Sequence, residues 1–219
     1  MSLLVTQLIN LFAAVILMLA FAMITQRRIL SLIHLFTLQG AALVAATAVV
    51  GYVTHQPHLY LSAALTLLLK VILIPMLLHR IITRLDARGD VEALINVPRT
   101  MLTGIVLVIF AFNLAKPISQ LSSVVASGTL GIALACVLLS FLMMIIRSKA
   151  VPQVIGFLSM ENGLFFAATS ATYGMPMVVE LGIALDVLVG ILIIAVFMFQ
   201  IREQFDSLDI RHLEKLKEN

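Results

Sequence analysis

Three ionisable side chains stand near the middle of long apolar runs in this sequence: Lys70, Glu161 and Asp186. A charge at the centre of a membrane helix costs roughly 2.5–3.5 kcal/mol on insertion scales. Such groups must face a protein interior, a partner subunit or water, and must be paired or neutral for part of the time. Because intramembrane carboxylates commonly relay protons or exchange ions, we predict that these three residues take part in ion translocation. The alternative is a structural ion pair that locks Lys70 against one of the acids.

Polar residues accompany the charges along the same predicted helices. Gly182, Asp186 and Gly190 recur every four residues, so they share one helix face that a second helix can approach closely. Asn162 follows Glu161 directly and can hold water or a hydrogen bond at that depth. The predicted secondary polar path comprises Glu180, Asn162, Gln39, Thr66 and His34, of which His34 and Gln39 also suit a packing role.

The composition identifies the class of protein. Of the 219 residues, 62% are hydrophobic and 11% charged, whereas soluble domains carry roughly 25% charged residues. The net charge of +3 gives no reason to expect nucleic acid as a partner. Cys136 is the only cysteine, which excludes an internal disulfide and implies no metal site. Without a phosphate loop, a nucleophile elbow or metal-ligand spacing, we expect no cofactor in this chain and no catalysis by the chain alone.

Runs of about 20 apolar residues are long enough to cross a bilayer as helices, and the sequence contains seven of them. We therefore predict an all-α fold, a polytopic membrane bundle of about seven transmembrane helices. The predicted spans are approximately 3–24, 29–53, 58–82, 100–116, 127–146, 152–173 and 175–201.

The positions of basic residues predict the orientation, because cytoplasmic loops are enriched in Lys and Arg. Arg27 and Arg28 follow the first span, and Arg147 and Lys149 separate the fifth from the sixth. Four arginines cluster around the connection from the third span to the fourth: Arg80, Arg84, Arg88 and Arg99. The tail after the seventh span carries Arg202, Arg211, Lys215 and Lys217, whereas the alternate loops hold little beyond Lys116. We predict an N-terminus outside and a cytoplasmic C-terminus.

Two parts of the chain are similar to each other. "SLIHLFTLQGAAL" (31–43) aligns with "QVIGFLSMENGLF" (153–165), and "LSAALTLLLKVILI" (61–74) with "LGIALDVLVGILII" (181–194). This predicts a parallel repeat of three helices. The predicted units are an N-terminal repeat (1–83), a cytoplasmic loop with a linking helix (84–126), a C-terminal repeat (127–202) and a cytoplasmic amphipathic tail (203–219).

Four stretches resemble the hydrogenase-4 component E family, which supplies membrane subunits to complexes of the formate hydrogenlyase type built around a group 4 nickel–iron hydrogenase. They are "LTLLLKVILIPMLL" (65–78), "GFLSMENG" (156–163), "VELGIALDVLVGIL" (179–192) and "SLDIRHLEKLK" (207–217). Most of each match is apolar. The positions that make it specific are Lys70, Pro75, Glu161, Asn162, Glu180, Asp186 and the "LDI" of the tail.

The last three predicted spans also resemble the K subunit of respiratory complex I and the C subunit of multisubunit sodium/proton antiporters. Those subunits carry a key glutamate in each of their last two helices. By this resemblance Asp186 takes the place of the last-helix glutamate. The other glutamate would fall at Leu158, and Glu161 lies three residues further on, a displacement of about 4.5 Å that is slightly less than one helical turn.

The resemblance implies a subunit of the bacterial or archaeal cytoplasmic membrane that carries out no redox chemistry itself. It would link a hydrogenase module to antiporter-like pumps and contribute buried charges to proton or ion translocation. The implied partners are antiporter-like membrane subunits, a membrane-anchored hydrogenase module and the lipid bilayer. A subunit of a multisubunit cation/proton antiporter and a purely structural membrane scaffold are the alternatives. A free-standing solute carrier lacks an obvious cluster of polar side chains to bind a solute.

Overall fold

The computed structural model describes residues 3–84, 95–120 and 126–172, together with Gly190, and the ranges are helical throughout apart from short connections. The all-α class is confirmed. The predicted seventh span, 175–201, the residues Glu180 and Asp186 and the tail lie outside the described part except for Gly190. The helices are α1 (Leu3–Thr25), α2 (Ile29–Thr54), α3 (Pro57–Thr66), a π-helical segment (Leu67–Leu73), α4 (Ile74–Arg84), α5 (Val97–Gln120), α6 (Ala126–Ile146) and α7 (Ala150–Thr172).

Within the described ranges, five helices are long and apolar enough to cross a membrane: Val5–Thr25, Ile29–Thr54, Pro57–Arg80, Val97–Pro117 and Thr129–Ile146. They correspond to the first five predicted spans. The sixth coincides with α7, which carries Glu161 and Asn162 and is not among the five. The total of seven, the orientation and the repeat therefore stay predictions.

Two helices differ in detail from the expectation. The fourth predicted span, 100–116, is part of a longer helix, because Pro98 stands in the first turn of α5, where a missing N–H breaks no hydrogen bond. The third span is continuous but not uniformly α-helical. It changes to the π form between Leu67 and Leu73, where the backbone N–H of Ile74 donates to the carbonyl of Leu69, five residues earlier.

Small residues set the closest helix contacts. A Cβ atom placed on Gly163 of α7 would lie 3.1 Å from Cβ of Cys136 and 3.3 Å from the carbonyl oxygen of Ala133, both on α6. A Cβ on Gly51 of α2 would lie 3.0 Å from Cβ of Leu59 on α3. Neither Gly163 nor Gly51 has room for a larger side chain, so α7 packs tightly on α6, and α3 packs tightly on α2.

Arg147 joins the end of α6 to the end of α1. The sequence predicts a loop charge at this position, yet the side chain is only 2% exposed. One guanidinium nitrogen donates to the carbonyl oxygens of Gln26 at 2.6 Å, Ile24 at 3.0 Å and Met23 at 3.4 Å. These carbonyls lie at the C-terminus of α1, where helix carbonyls lack intrahelical partners and attract positive charge.

Burial, and next the positive charge of Arg27, lower the pKa of Arg147 from its usual range. A guanidinium nevertheless stays protonated in a protein. The carbonyls at the end of α1 therefore keep a charged donor throughout the physiological pH range.

Replacing Gly163 with leucine should weaken the packing of α7 on α6. The added atoms would press against Cys136 and Ala133, and overpacking of this kind costs about 1–3 kcal/mol of unfolding free energy. Unfolding of the purified full chain in detergent, followed by circular dichroism, measures the loss. Ala64→Leu, at an exposed position of α3, is the matched control, and equal stability of the two variants would contradict tight packing at Gly163.

Arg147→Met should lower the free energy of unfolding by at least roughly 1–3 kcal/mol, because it leaves buried carbonyl oxygens at the end of α1 without their donor. Lys149→Met, an exposed neighbour, should change the unfolding midpoint little. If both substitutions have the same small effect in the detergent unfolding experiment, Arg147 does not hold α1 to α6.

Candidate functional site

A buried ion pair lies at the centre of the described bundle. Nζ of Lys70 is 3.6 Å from Oε2 of Glu161, and the two side chains are only 1% and 3% exposed. Glu161 stands at the midpoint of α7, equally far from Ala150 and Thr172. Lys70 lies close to the middle of the helical rod formed by α3, the π-helical segment and α4. Both charges therefore sit about as far from the ends of their helices as possible.

The backbone around Lys70 is shaped by the π-helical segment and by Gly40 of α2. A Cβ on Gly40 would come within 3.4 Å of Cγ2 of Val71 and 3.5 Å of Cβ of Lys70. The missing side chain thus lets the π-helical segment lie close against α2. Since α2 also packs on α7, it supports both helices that carry the charges.

An amide chain continues the polar region from α7 to α1. Nδ2 of Asn162 donates to Oε1 of Gln39 at 3.2 Å, and Nε2 of Gln39 donates to the carbonyl oxygen of Ile16 at 3.5 Å. Gln39 and Asn162 are fully buried. Oδ1 of Asn162 has no hydrogen-bond partner among the described residues, and buried polar atoms of this kind are usual binding places for ordered water.

A second polar contact joins α6 to α7 beside this chain. The hydroxyl of Ser140 donates to that of Ser159 at 2.9 Å, and both residues are buried. The sequence marks Ser159 only as a neighbour of Glu161, and it gives no sign of Ser140. A single serine in an apolar helix carries no signal, because its hydroxyl usually bonds the carbonyl of the preceding turn.

The predicted site residues occupy different places in the described bundle. The structure brings together Lys70 and Glu161, and Gln39 and Asn162. Thr66 is buried at the end of α3, directly before the π-helical segment. His34 is exposed, and its Nδ1 lies 2.8 Å from the carbonyl oxygen of Leu30 in its own helix. Among the described residues, no three His, Cys, Asp or Glu side chains gather closely enough to hold a metal ion.

This arrangement suits a group that exchanges protons. At 3.6 Å a Lys70 ammonium and a Glu161 carboxylate attract each other as opposite charges. A proton that reaches Glu161 neutralises the carboxylate and removes that attraction. Glu161 is the only acidic residue of the described ranges, so within them no second carboxylate can take its place.

Breaking the pair should be costlier than removing it. Lys70→Met alone, or Glu161→Gln alone, removes one charge of the buried pair and should lower the free energy of unfolding by about 3–5 kcal/mol. The double variant removes both charges and should recover most of that loss. A double variant whose loss equals the sum of the single losses would show that the two side chains are not coupled. Lys116→Met, at an exposed position, controls for the loss of a lysine.

Comparison with known proteins places the chain in a family. No family model and no solved structure matches it. "Uncharacterized protein Rv0085" of Mycobacterium tuberculosis is 32% identical over 209 residues, covering 94% of this chain and 95% of the relative. "Hydrogenase-4 component E" of Escherichia coli K12 and of Shigella flexneri is 22% identical over 182 residues, covering 83% of this chain and 84% of the relative. The chain belongs to the family of the mycobacterial protein Rv0085, with hydrogenase-4 component E as a distant homologue.

Proposed function

We propose that this chain is a membrane subunit of a hydrogenase-type complex, the counterpart of hydrogenase-4 component E, and that its buried charges take part in moving protons or other cations. The supporting homology extends over 83% of the chain. Apolar helices of spanning length fit such a subunit. The observation that carries the proposal is the Lys70–Glu161 pair, buried far from the ends of both helices.

The proposed role of the pair rests on its charges. A proton arriving at Glu161 neutralises the carboxylate and frees the Lys70 ammonium to interact with a different acid, and loss of the proton restores the pair. Asp186, which the sequence aligns with Thr66 four residues from Lys70, is the proposed next acid. Gln39 and Asn162 donate and accept hydrogen bonds beside the pair, and a water bound there would extend the route.

The proposed setting is the bacterial or archaeal cytoplasmic membrane. The complex would have the composition of a formate hydrogenlyase, with a membrane-anchored hydrogenase module and antiporter-like subunits as neighbours. Electrons would stay in the hydrogenase module, and this chain would hold no cofactor. The alternative assembly is a multisubunit cation/proton antiporter without hydrogenase. The resemblance of the last three predicted spans to antiporter C subunits is the reason to consider it.

The pair also supports a second candidate function. It joins two helices that are far apart in sequence. An ion pair of this kind can lock helices together without taking any part in ion movement. A scaffold of this type would assemble the complex without moving ions. The two functions predict different behaviour of a complex from which both charges have been removed together.

The test uses the native complex, purified through a tag on this chain, with every subunit identified. Glu161→Gln and the double variant Lys70→Met/Glu161→Gln are compared with the exposed-site control Lys116→Gln. We expect the double variant to assemble, because both charges of the Lys70–Glu161 pair are removed together. We expect it to move at least roughly a hundredfold fewer cations per hydrogen turned over, the low end of the usual loss on removing a proton-transfer group. Ion movement is measured in proteoliposomes with the electron donor or acceptor that the complex uses.

Each other outcome has a definite meaning. Full cation movement by the assembled double variant would overturn the translocation role and leave the structural lock. Co-purification of antiporter-like subunits without a hydrogenase would select the antiporter alternative. Failure to find either kind of partner would remove the proposed complex altogether.

A further inference from the structure

An apolar groove runs along the outside of the bundle between α1, α5 and α6. Its volume is about 580 Å³, within the roughly 300–1,000 Å³ typical of ligand pockets. Nearly all of the lining atoms are apolar. The principal lining residues are Ala14, Leu17, Met18 and Phe21 of α1 and Ile105 and Phe112 of α5.

Two glycines define the length of this groove. At one end Gly104 lets α5 approach α1, since a Cβ there would lie 2.9 Å from Cδ1 of Ile24 and 3.0 Å from Cε2 of Phe21. At the other end the ring of Phe112 rests on Gly131 of α6, 2.8 Å from the position of a Cβ. From Gly104 to Phe112 the helix rises roughly 12 Å. Between the two contacts the helices leave an elongated channel open to the surroundings of the described bundle.

Positive charge surrounds one end of the groove. Arg27 follows Ile24 by three residues, and Arg99 precedes Gly104 by five, so both lie beyond the contact between Ile24 and Gly104 on the same side of the groove. Arg28 stands next to Arg27, and all three arginines are exposed. The sole acidic side chain of the described ranges, Glu161, lies at mid-depth in α7. The described residues therefore give this end an excess of positive charge.

The helix termini add to that charge. α2 begins at Ile29 and α5 at Val97, so two N-termini, whose N–H groups favour anions, lie at the arginine-rich end. The C-terminus of α1, which would favour cations, is already occupied by the Arg147 guanidinium. An anionic group beside Arg27, Arg28 and Arg99 would thus meet positive potential from several directions.

We propose that this groove binds an anionic phospholipid, with one acyl chain in the apolar channel and the phosphate beside Arg27, Arg28 and Arg99. A lipid satisfies both halves of the site at once, because it is apolar along its chain and negative at its head. A zwitterionic lipid fills the channel equally well but presents a compensating positive charge to the arginines. This inference requires only that the chain spans a membrane, and it is independent of the proposed hydrogenase complex.

The absence of tryptophan from the sequence makes a direct test possible. Phe21→Trp places an indole in the groove. Phe141→Trp places one at an exposed position of α6 outside the groove, six residues before Arg147, just as Phe21 lies six residues before Arg27. The full-length variants are reconstituted in phosphatidylcholine vesicles that contain brominated phosphatidylglycerol or brominated phosphatidylcholine, and quenching of the indole fluorescence is measured.

For Phe21→Trp we expect half-maximal quenching at a mole fraction of the brominated anionic lipid at least roughly fivefold lower than that of the brominated zwitterionic lipid, the preference that about one basic residue near a membrane surface provides. For Phe141→Trp the two lipids should quench equally. Adding Arg27→Gln, Arg28→Gln and Arg99→Gln to Phe21→Trp should remove the preference, whereas adding Lys116→Gln should leave it.

Two results would overturn the proposal. Equal quenching of the Phe21→Trp indole by both lipids would mean ordinary bilayer contact without a site. Absence of quenching by either lipid would mean that protein fills the groove, either other parts of this chain or a partner helix. If Phe21→Trp fails to fold by circular dichroism, Ile109→Trp, also in the groove lining, carries the same comparison.

Discussion

The cost of placing a charge in an apolar interior is the constraint on which the rest of this structure depends. Lys70 and Glu161 lie far from the ends of the helices that carry them, and both side chains are buried inside the described bundle. Each is tolerable because the other lies 3.6 Å away. The helices that carry them must therefore be held in one relative position, and much of the surrounding packing meets that requirement.

Small and polar residues of α2 and α7 hold the helices that carry Lys70 and Glu161 in that position. Gly40 lets the π-helical segment lie against α2, and Gly163 lets α7 lie against α6. Between these contacts the amides of Gln39 and Asn162 join α2 to α7 by a hydrogen bond. In a membrane the hydrophobic effect does not drive helices together, so close backbone approach and interhelical hydrogen bonds have to define the geometry. Both are found next to the ion pair.

The two kinds of charge in the bundle have different consequences. Arg147 is buried near the end of α6 and donates hydrogen bonds to carbonyl oxygens at the end of α1. Because carbonyl oxygens neither gain nor lose protons, these bonds hold α1 to α6 at every physiological pH. Glu161 faces the Lys70 ammonium, and the attraction between them is present or absent according to whether the carboxyl group carries a proton. The proposed ion movement involves the Lys70–Glu161 pair. In that proposal the contacts of Arg147 keep α1 and α6 together while ions move.

The sequence by itself determined the all-α class, the first five helices long and apolar enough to cross a membrane, and the presence of buried charge at Lys70 and Glu161. Apolar run length and the rarity of intramembrane charge are local properties that one chain displays directly. Only the tertiary structure decided that Lys70 meets Glu161, that Gln39 meets Asn162, and that Arg147 lies inside the bundle. These contacts depend on how each helix is rotated against its neighbours, and that of Lys70 also on the π-helical segment that carries it. Helix rotation results from packing between distant segments and leaves no periodic signal along the chain.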